Sequence, residues 1–334
     1  MVIGGSAGAI EPLREIVAAL PATLQAAVCV VVHLGADSRS ALPTLLRRSG
    51  VLPAGFPLSG APVATGTILV APPGRHLLIH DGHVTLSRGA RVNGSRPAID
   101  PLFRSAAAAR GPRVVSVVLS GTLDDGAAGT VVVRRTGGMT IAQDPTDADF
   151  PDMPENAIAT GSVAHVVPAR DIGRLVAALV EELPLAGPAA GGRRGAPDAE
   201  EPDELSVDRG LAGPATDLDP PASPYGCPAC GGVLHERQDP TEYLCRLGHR
   251  YSLGALGYAQ STVVEDALWT ALRTLDESSS LAERVSQRAR QRGDTALAGR
   301  FEARRAAAQV RADRIRAVLL EPDEEDAERG NRGA

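Results

Sequence analysis

Met1-Val2-Ile3-Gly4-Gly5-Ser6-Ala7-Gly8-Ala9 opens the chain. A short apolar run ends in a glycine-flanked serine, and Glu11–Leu20 then carries apolar residues at helical spacing. Strand, tight turn and helix form the unit of an α/β fold. Such a turn puts a side chain at the carboxyl edge of a sheet and aims the free N–H groups of the helix at whatever sits there. A serine so placed is able to act as a nucleophile beside its own oxyanion donors. Alone, the Gly-x-Ser-x-Gly pattern reads better as a plain glycine-rich βα turn, so the surrounding sequence has to decide.

Outward from the turn, strand-like and helix-like segments alternate. Ala27–His33 is a continuous apolar run, as expected of a strand buried on both faces. Ser40–Arg48 has helical spacing, and Thr67–Ala71 reads as a strand. In Leu77–Leu86, Asp81-Gly82 separates two apolar runs and predicts a hairpin. Asp100-Pro101 predicts a helix start, with Asp100 as N-cap and Pro101 at the first helical position, running to about Arg110. Val114–Leu119 is the strongest strand signal. A helix is expected over Gly126–Arg135, strands at Met139–Ala142 and within Gly161–Val167, and an amphipathic helix over Arg170–Leu183. The predicted fold is a doubly wound, mostly parallel sheet with helices on both faces. Only Met1-Val2-Ile3 precede the serine turn, so either the chain starts further upstream or its first strand frays.

The expected domains are a catalytic domain over 1–184, a Pro/Gly/acid-rich disordered linker over 185–224, a metal module over 225–258, a helical hairpin over 259–322 and a frayed tail over 323–334. Aromatic residues make up 3% of the chain and the net charge is −6. That charge gives no general electrostatic case for nucleic-acid binding. No signal peptide and no apolar run of membrane-spanning length stands out, so a cytoplasmic protein without membrane insertion is expected. Of four cysteines, Cys29 stands alone. Cys227-x2-Cys230 and Cys245-x3-His249 offer three thiolates and an imidazole at the spacing of a structural zinc ribbon. His235 is an unpaired alternative ligand. The hairpin after this module is expected either to self-associate or bind a partner, or to pack on itself and on the module.

In a doubly wound sheet, ligands sit beyond the carboxyl ends of the strands. Ser6 follows the first strand, His33 ends the second, and Asp124-Asp125 follow the strongest. A serine is a poor nucleophile until a base takes its proton, and the base needs a carboxylate to orient it. This edge therefore carries the parts of a nucleophile–base–acid arrangement. A dinucleotide fingerprint fits less well, because the turn is not G-x-G-x-x-G. The α/β-hydrolase elbow follows the order Ser, acid, His, which is not the order found here.

Several blocks lie in one register: Ile3–Gly8, Val32-His33-Leu34, Val70–Gly74 with His76, Arg96–Ser105, Leu119–Ala127, Gln143-Asp144 and Met153-Pro154. With these blocks, residues 1 to about 180 resemble the catalytic domain of the chemotaxis protein-glutamate methylesterases, the CheB family. The resemblance implies hydrolysis of glutamyl methyl esters on chemoreceptors or receptor-like proteins, often with deamidation of receptor glutamines, and no cofactor for catalysis. It assigns Ser6, His33 and Asp125 as the triad, and backbone N–H groups at Ala7 and Thr122 as oxyanion donors. Thr122 stands where the family has a methionine. Arg96 and Arg104 are candidates for positioning acidic receptor segments. The family's usual N-terminal receiver domain has no counterpart in this sequence, so a receiver-less type with a C-terminal zinc-ribbon-like and helical extension is expected. The rival expectation is a non-catalytic signalling scaffold that binds a partner through the metal module and helices.

Overall fold

The computed structural model describes residues 1–33, 40–182, 221–238 and 241–320. Most of the expected linker and all of the expected frayed tail lie outside these residues. The chain divides into two compact units, Met1–Gly257 and Tyr258–Ala334.

The first unit is built on a seven-stranded sheet. Its strands are β1 (Val2–Gly5), β2 (Val28–Val32), β3 (Ala54–Gly55), β4 (Ile68–Val70), β7 (Val115–Val118), β8 (Met139–Gln143) and β9 (His165–Val167). Their order is β3-β4-β2-β1-β7-β8-β9, and every neighbouring pair is parallel. The helices are α1 (Ile10–Ala19), α2 (Leu42–Ser49), α3 (Ile99–Arg110), α4 (Ala127–Arg135), α5 (Asp152–Ala159) and α6 (Ala169–Glu182). Alternation along the strands divides the core between two layers. Val28, Val30 and Val32 pack with Leu13, Ile16, Leu46, Ile172 and Val176 of α1, α2 and α6. Cys29 and Val31 face the other way, with Leu102 and Phe103 of α3, Val133 of α4 and Ala157 of α5. An antiparallel hairpin, β5 (His76–His80) with β6 (His83–Ser87), closes that second layer.

The first strand is not frayed. All four of its residues are buried, and it pairs with β2 on one side and β7 on the other. Two neighbours anchor it where its length alone could not. The strand order reverses around β1, so the β1–β7 seam is the switch point at which an open α/β sheet leaves a crevice.

Other sequence expectations are corrected. Helix α3 begins at Ile99, with Ala98 at its N-cap position, so Asp100 and Pro101 both lie inside the first turn and neither is the cap or the first helical residue. Helix α5, for which the sequence carries no expectation, has Pro154 in its first turn, where proline is tolerated. The C-terminal module starts earlier than expected. It is a four-stranded antiparallel sheet of β10 (Ala222–Gly226), β11 (Val233–Gln238), β12 (Thr241–Cys245) and β13 (Arg250–Tyr251). Pro224 disguised β10 as linker, but β10 is an edge strand, where a missing N–H is tolerated.

Two long helices, α7 (Leu253–Gln291) and α8 (Thr295–Leu320), follow. Helix α7 also starts ahead of the expected boundary, because Ser252 caps it through an Ala255 N–H to Ser252 Oγ bond of 3.0 Å. Within the second unit the helices run antiparallel. The Ser286 hydroxyl donates to Ala298 O at 3.1 Å, Arg290 pairs with Glu302, and Arg316 pairs with Asp276. Buried alanines (Ala282, Ala289, Ala298, Ala308, Ala312) give the two backbones room to approach.

Candidate active site

Ser6, His33 and the Asp124-Asp125 loop meet at the carboxyl edge beside the switch point. In the β1–β2 register Gly5 lies opposite Val32, and the His33 N–H donates to Gly5 O at 3.1 Å. One further step sets Ser6 beside His33. On the other side the Ser6 N–H donates to Ser120 O at 2.9 Å. The loop after β7 comes close because Gly121 has no side chain. A β-carbon there would lie 2.9 Å from Ser6 Cβ and 2.8 Å from the Met153 sulfur. Gly8 sits at φ +71°, in the left-handed region that this turn needs. Among the described residues, the backbone N–H groups of Ala7 and Thr122 donate to no backbone acceptor.

His33 Nε2–H donates to Asp125 Oδ2 at 2.7 Å. Nε2 thus faces the carboxylate, and Nδ1 is the ring nitrogen that does not bond Asp125. Asp125 is almost wholly buried, and four donors converge on it. Oδ2 also accepts from the Ile99 N–H at 2.7 Å. Oδ1 accepts from the Asp100 N–H at 3.2 Å and from Asn93 Nδ2 at 3.1 Å. Burial pushes the Asp125 carboxyl up, but the His33 bond and charge, the Ile99 N–H and the Asn93 amide outweigh it and hold it below the usual carboxylate range.

Ile99 and Asp100 supply the first N–H groups of α3, so a carboxylate from the distant loop does the capping that the sequence assigned to Asp100. Asp100 returns the favour. Its Oδ1 accepts from the Gly126 and Gly129 N–H groups at the start of α4, at 3.1 and 2.6 Å. Two neighbouring helix N-termini, each positive in its dipole, thus hold two carboxylates side by side. Burial and the Asp125 charge push the Asp100 carboxyl up to about 8, against Arg104 and the Gly129 N–H. Leu123, at φ +63°, turns the loop that carries both aspartates, and Asn156 holds its carbonyl at 3.0 Å.

The two arginines point elsewhere. Arg96 Nη1 donates to Arg88 O and Gly89 O at 2.9 and 2.8 Å. Arg104 pairs with Glu242 of β12, whose other oxygen takes Arg250 Nη1 at 3.1 Å.

Asn93 was not read from the sequence as a site residue. Asn93-Gly94 looks like a hairpin tip, and both residues do have positive φ. The structural signal is that this turn asparagine is buried.

In the C-terminal module, the ligand atoms of Cys227, Cys230, Cys245 and His249 all lie within 4.8 Å of one another. Cys230 Sγ is 3.7 Å from Cys245 Sγ, which is 3.4 Å from His249 Nδ1. Edges near 3.7 Å follow from a tetrahedron with metal–sulfur bonds of about 2.3 Å. Each knuckle turns through a left-handed glycine, Gly231 at φ +71° and Gly248 at φ +89°. The Gly231 N–H donates to Cys227 O and the Gly248 N–H to Cys245 O. Three thiolates and one imidazole fit zinc. His235 lies on β11 and is not in the cluster, and Cys29 is buried in β2.

Residues 1–176 match the family model described as CheB methylesterase. A putative protein-glutamate methylesterase/protein-glutamine glutaminase of Leptospira interrogans is 35% identical over 176 residues, covering 52% of this chain and 91% of that protein. A protein-glutamate methylesterase/protein-glutamine glutaminase of Symbiobacterium thermophilum is 34% identical over 54% of this chain, which spans only 51% of that relative. The crystal structure of the Thermotoga maritima CheB methylesterase catalytic domain matches with a TM-score of 0.52 and 30% identity, over 53% of this chain and 96% of that one. The seven-stranded parallel sheet, the carboxyl-edge site and these matches over the same residues converge: the chain belongs to the CheB methylesterase family.

Proposed function

We propose that the chain is a protein-glutamate methylesterase that hydrolyses γ-glutamyl methyl esters on a methylated chemoreceptor or receptor-like protein. Deamidation of glutamine side chains follows the same chemistry with ammonia leaving. The observation that carries this reading is the 2.7 Å His33–Asp125 bond beside Ser6, at the switch point of the sheet. Its buried, four-fold-coordinated carboxylate supports a catalytic reading over the scaffold reading, because a binding surface has no need of an oriented imidazole.

Ser6 Oγ forms a bond to the ester carbonyl carbon as His33 Nδ1 takes its proton. The N–H groups of Ala7 and Thr122 receive the oxyanion, each donor contributing about 3 kcal/mol. The C–O bond to methoxide breaks, and His33 protonates it to methanol. Water then attacks the acyl-serine with His33 again accepting a proton. The glutamate carboxylate leaves, and Ser6 regains its hydrogen. Asp125 holds the imidazole and its charged form throughout.

Arg96 and Arg104 support the scaffold in this reading and do not contact substrate, because backbone carbonyls and Glu242 already occupy them. Zinc in the Cys227, Cys230, Cys245, His249 cluster would be structural, since protein fills all four positions. Self-association through the C-terminal helices is supported by exposed Trp269, Leu281, Val310 and Val318, and sedimentation of a chain ending at residue 257 tests it by the loss of dimer.

The test of function is methanol release from a methylated chemoreceptor. Wild type should release it and Ser6→Ala should not; equal release by both would overturn the assignment.

A further inference from the structure

The geometry points to Asn93 as a positioning residue for the His33–Asp125 pair, held in place by the C-terminal Cys/His module. This rests on the triad reading above and deepens it.

Every polar atom of the Asn93 side chain is committed. Its amide nitrogen donates to Asp125 Oδ1 and to Asp100 Oδ2, both at 3.1 Å. Its carbonyl oxygen accepts from the Ser252 N–H at 2.9 Å. The opposite orientation would set the amide nitrogen against a backbone N–H and the oxygen against the ionised Asp125 carboxylate, so the orientation is fixed by its partners. The Asn93-Gly94 turn is closed by paired backbone bonds between Val92 and Ser95. Asn93 therefore projects from a rigid tip and joins both helix-capping carboxylates with a single amide group.

The module grips that tip. Arg250 lies next to the cluster residue His249 and pairs in parallel with Val92. The Asn93 N–H donates to Arg250 O at 2.8 Å, and the Arg250 N–H donates to Arg91 O at 3.3 Å. Two residues on, Ser252 holds the Asn93 carbonyl, and its hydroxyl donates to Asp124 Oδ1 at 2.6 Å. Nearby, Glu242 bridges Arg104 of α3 and Arg250 of β13, all three nearly buried. From the His249 knuckle to the acid of the triad the path is short: His249, Arg250 backbone, Asn93, Asp125. A metal that shapes the knuckle thereby shapes the carboxylate that orients His33, while lying outside the chemistry itself.

Asn93→Gly tests this in the full chain, because glycine accepts φ +50° at this position and removes only the amide. The direct readout is the low-field proton of the His33 Nε2–H to Asp125 bond, observed by NMR without substrate. We expect it in wild type, and shifted upfield or lost both in Asn93→Gly and in wild type stripped of zinc by a chelator. Ester turnover by Asn93→Gly should fall in kcat by roughly 10²-fold with KM within about twofold, the mark of a misplaced catalytic group.

Asn93→Asp is the second variant. It keeps the acceptor for Ser252 but adds a carboxylate among Asp100, Asp124, Asp125 and Glu242, with Arg104 and Arg250 the facing cations. Its kcat should fall as in Asn93→Gly, because a carboxylate cannot donate to Asp125 Oδ1. An unchanged resonance and unchanged kcat in Asn93→Gly would overturn the positioning role, as would a wild type lacking the resonance. A zinc-free chain with the wild-type resonance would overturn the module's part in it. If wild type shows the resonance and its response to Asn93→Gly but releases no methanol, the esterase reading fails and the positioning role stands.

Discussion

The serine edge and the Cys/His cluster assemble their chemistry in opposite ways. The proposed triad takes Ser6, His33 and Asp125 from three loops far apart in sequence, and nothing local obliges them to meet. The parallel register of β1, β2 and β7 brings them together, with burial on both faces of the sheet holding that register. The cluster takes its four ligands from two knuckles within one small antiparallel sheet, whose apolar core is slight. The first site is held by the fold, whereas the second is expected to hold its fold. Removing a site residue should therefore leave the large sheet standing, and stripping any metal from the cluster should undo the small one.

Activity breaks first. Ser6→Ala should cost on the order of 10⁶ in kcat, with thermal stability almost unchanged when followed by calorimetry. Asp125→Asn should lower kcat by about 10⁴. It should also destabilise the chain, because an amide NH₂ would then face the donors from Ile99, Asp100 or His33. In the second region, Cys230→Ser or chelation should open the amides of β11 and β12 to hydrogen exchange while those of β1 stay protected. Structural zinc sites contribute about 10 kcal/mol or more of folding free energy. Arg250→Met sharpens the contrast where the two regions meet. It leaves buried Glu242 with Arg104 alone and should cost about 3 kcal/mol in chemical denaturation.

The smallest effect is a matter of titration. Asp125 is held below the ordinary carboxylate value of about 3.9. Its contribution to stability is therefore complete above about pH 3.9 and is lost as pH falls through its depressed folded value. Asp100 is raised to about 8, so its contribution is complete below about pH 3.9 and is lost as pH rises through about 8. Carboxyl-carbon NMR should show the two neighbours titrating on opposite sides of the ordinary value.

What the sequence disclosed follows the same division. The cluster was legible because Cys-x2-Cys and Cys-x3-His are local patterns, and the knuckle glycines are local too. The strands β2 and β7 announced themselves as apolar runs, and their ends pointed to His33 and Asp125. The cap of α3 is not legible locally, because the capping carboxylate, Asp125, arrives from beyond β7. Asn93 was invisible for a related reason. Asn-Gly is a turn signal whatever its side chain does, and only the tertiary structure turns that side chain inward. Strand β10 is hidden by Pro224, which an edge position tolerates.

The central claim is that His33, oriented by Asp125, activates Ser6. Mass spectrometry after treatment with a fluorophosphonate probe tests it most directly. The account predicts a single adduct on Ser6 in wild type, and its loss in His33→Ala. An adduct on another residue, or one on Ser6 that forms at the wild-type rate in His33→Ala, would contradict it.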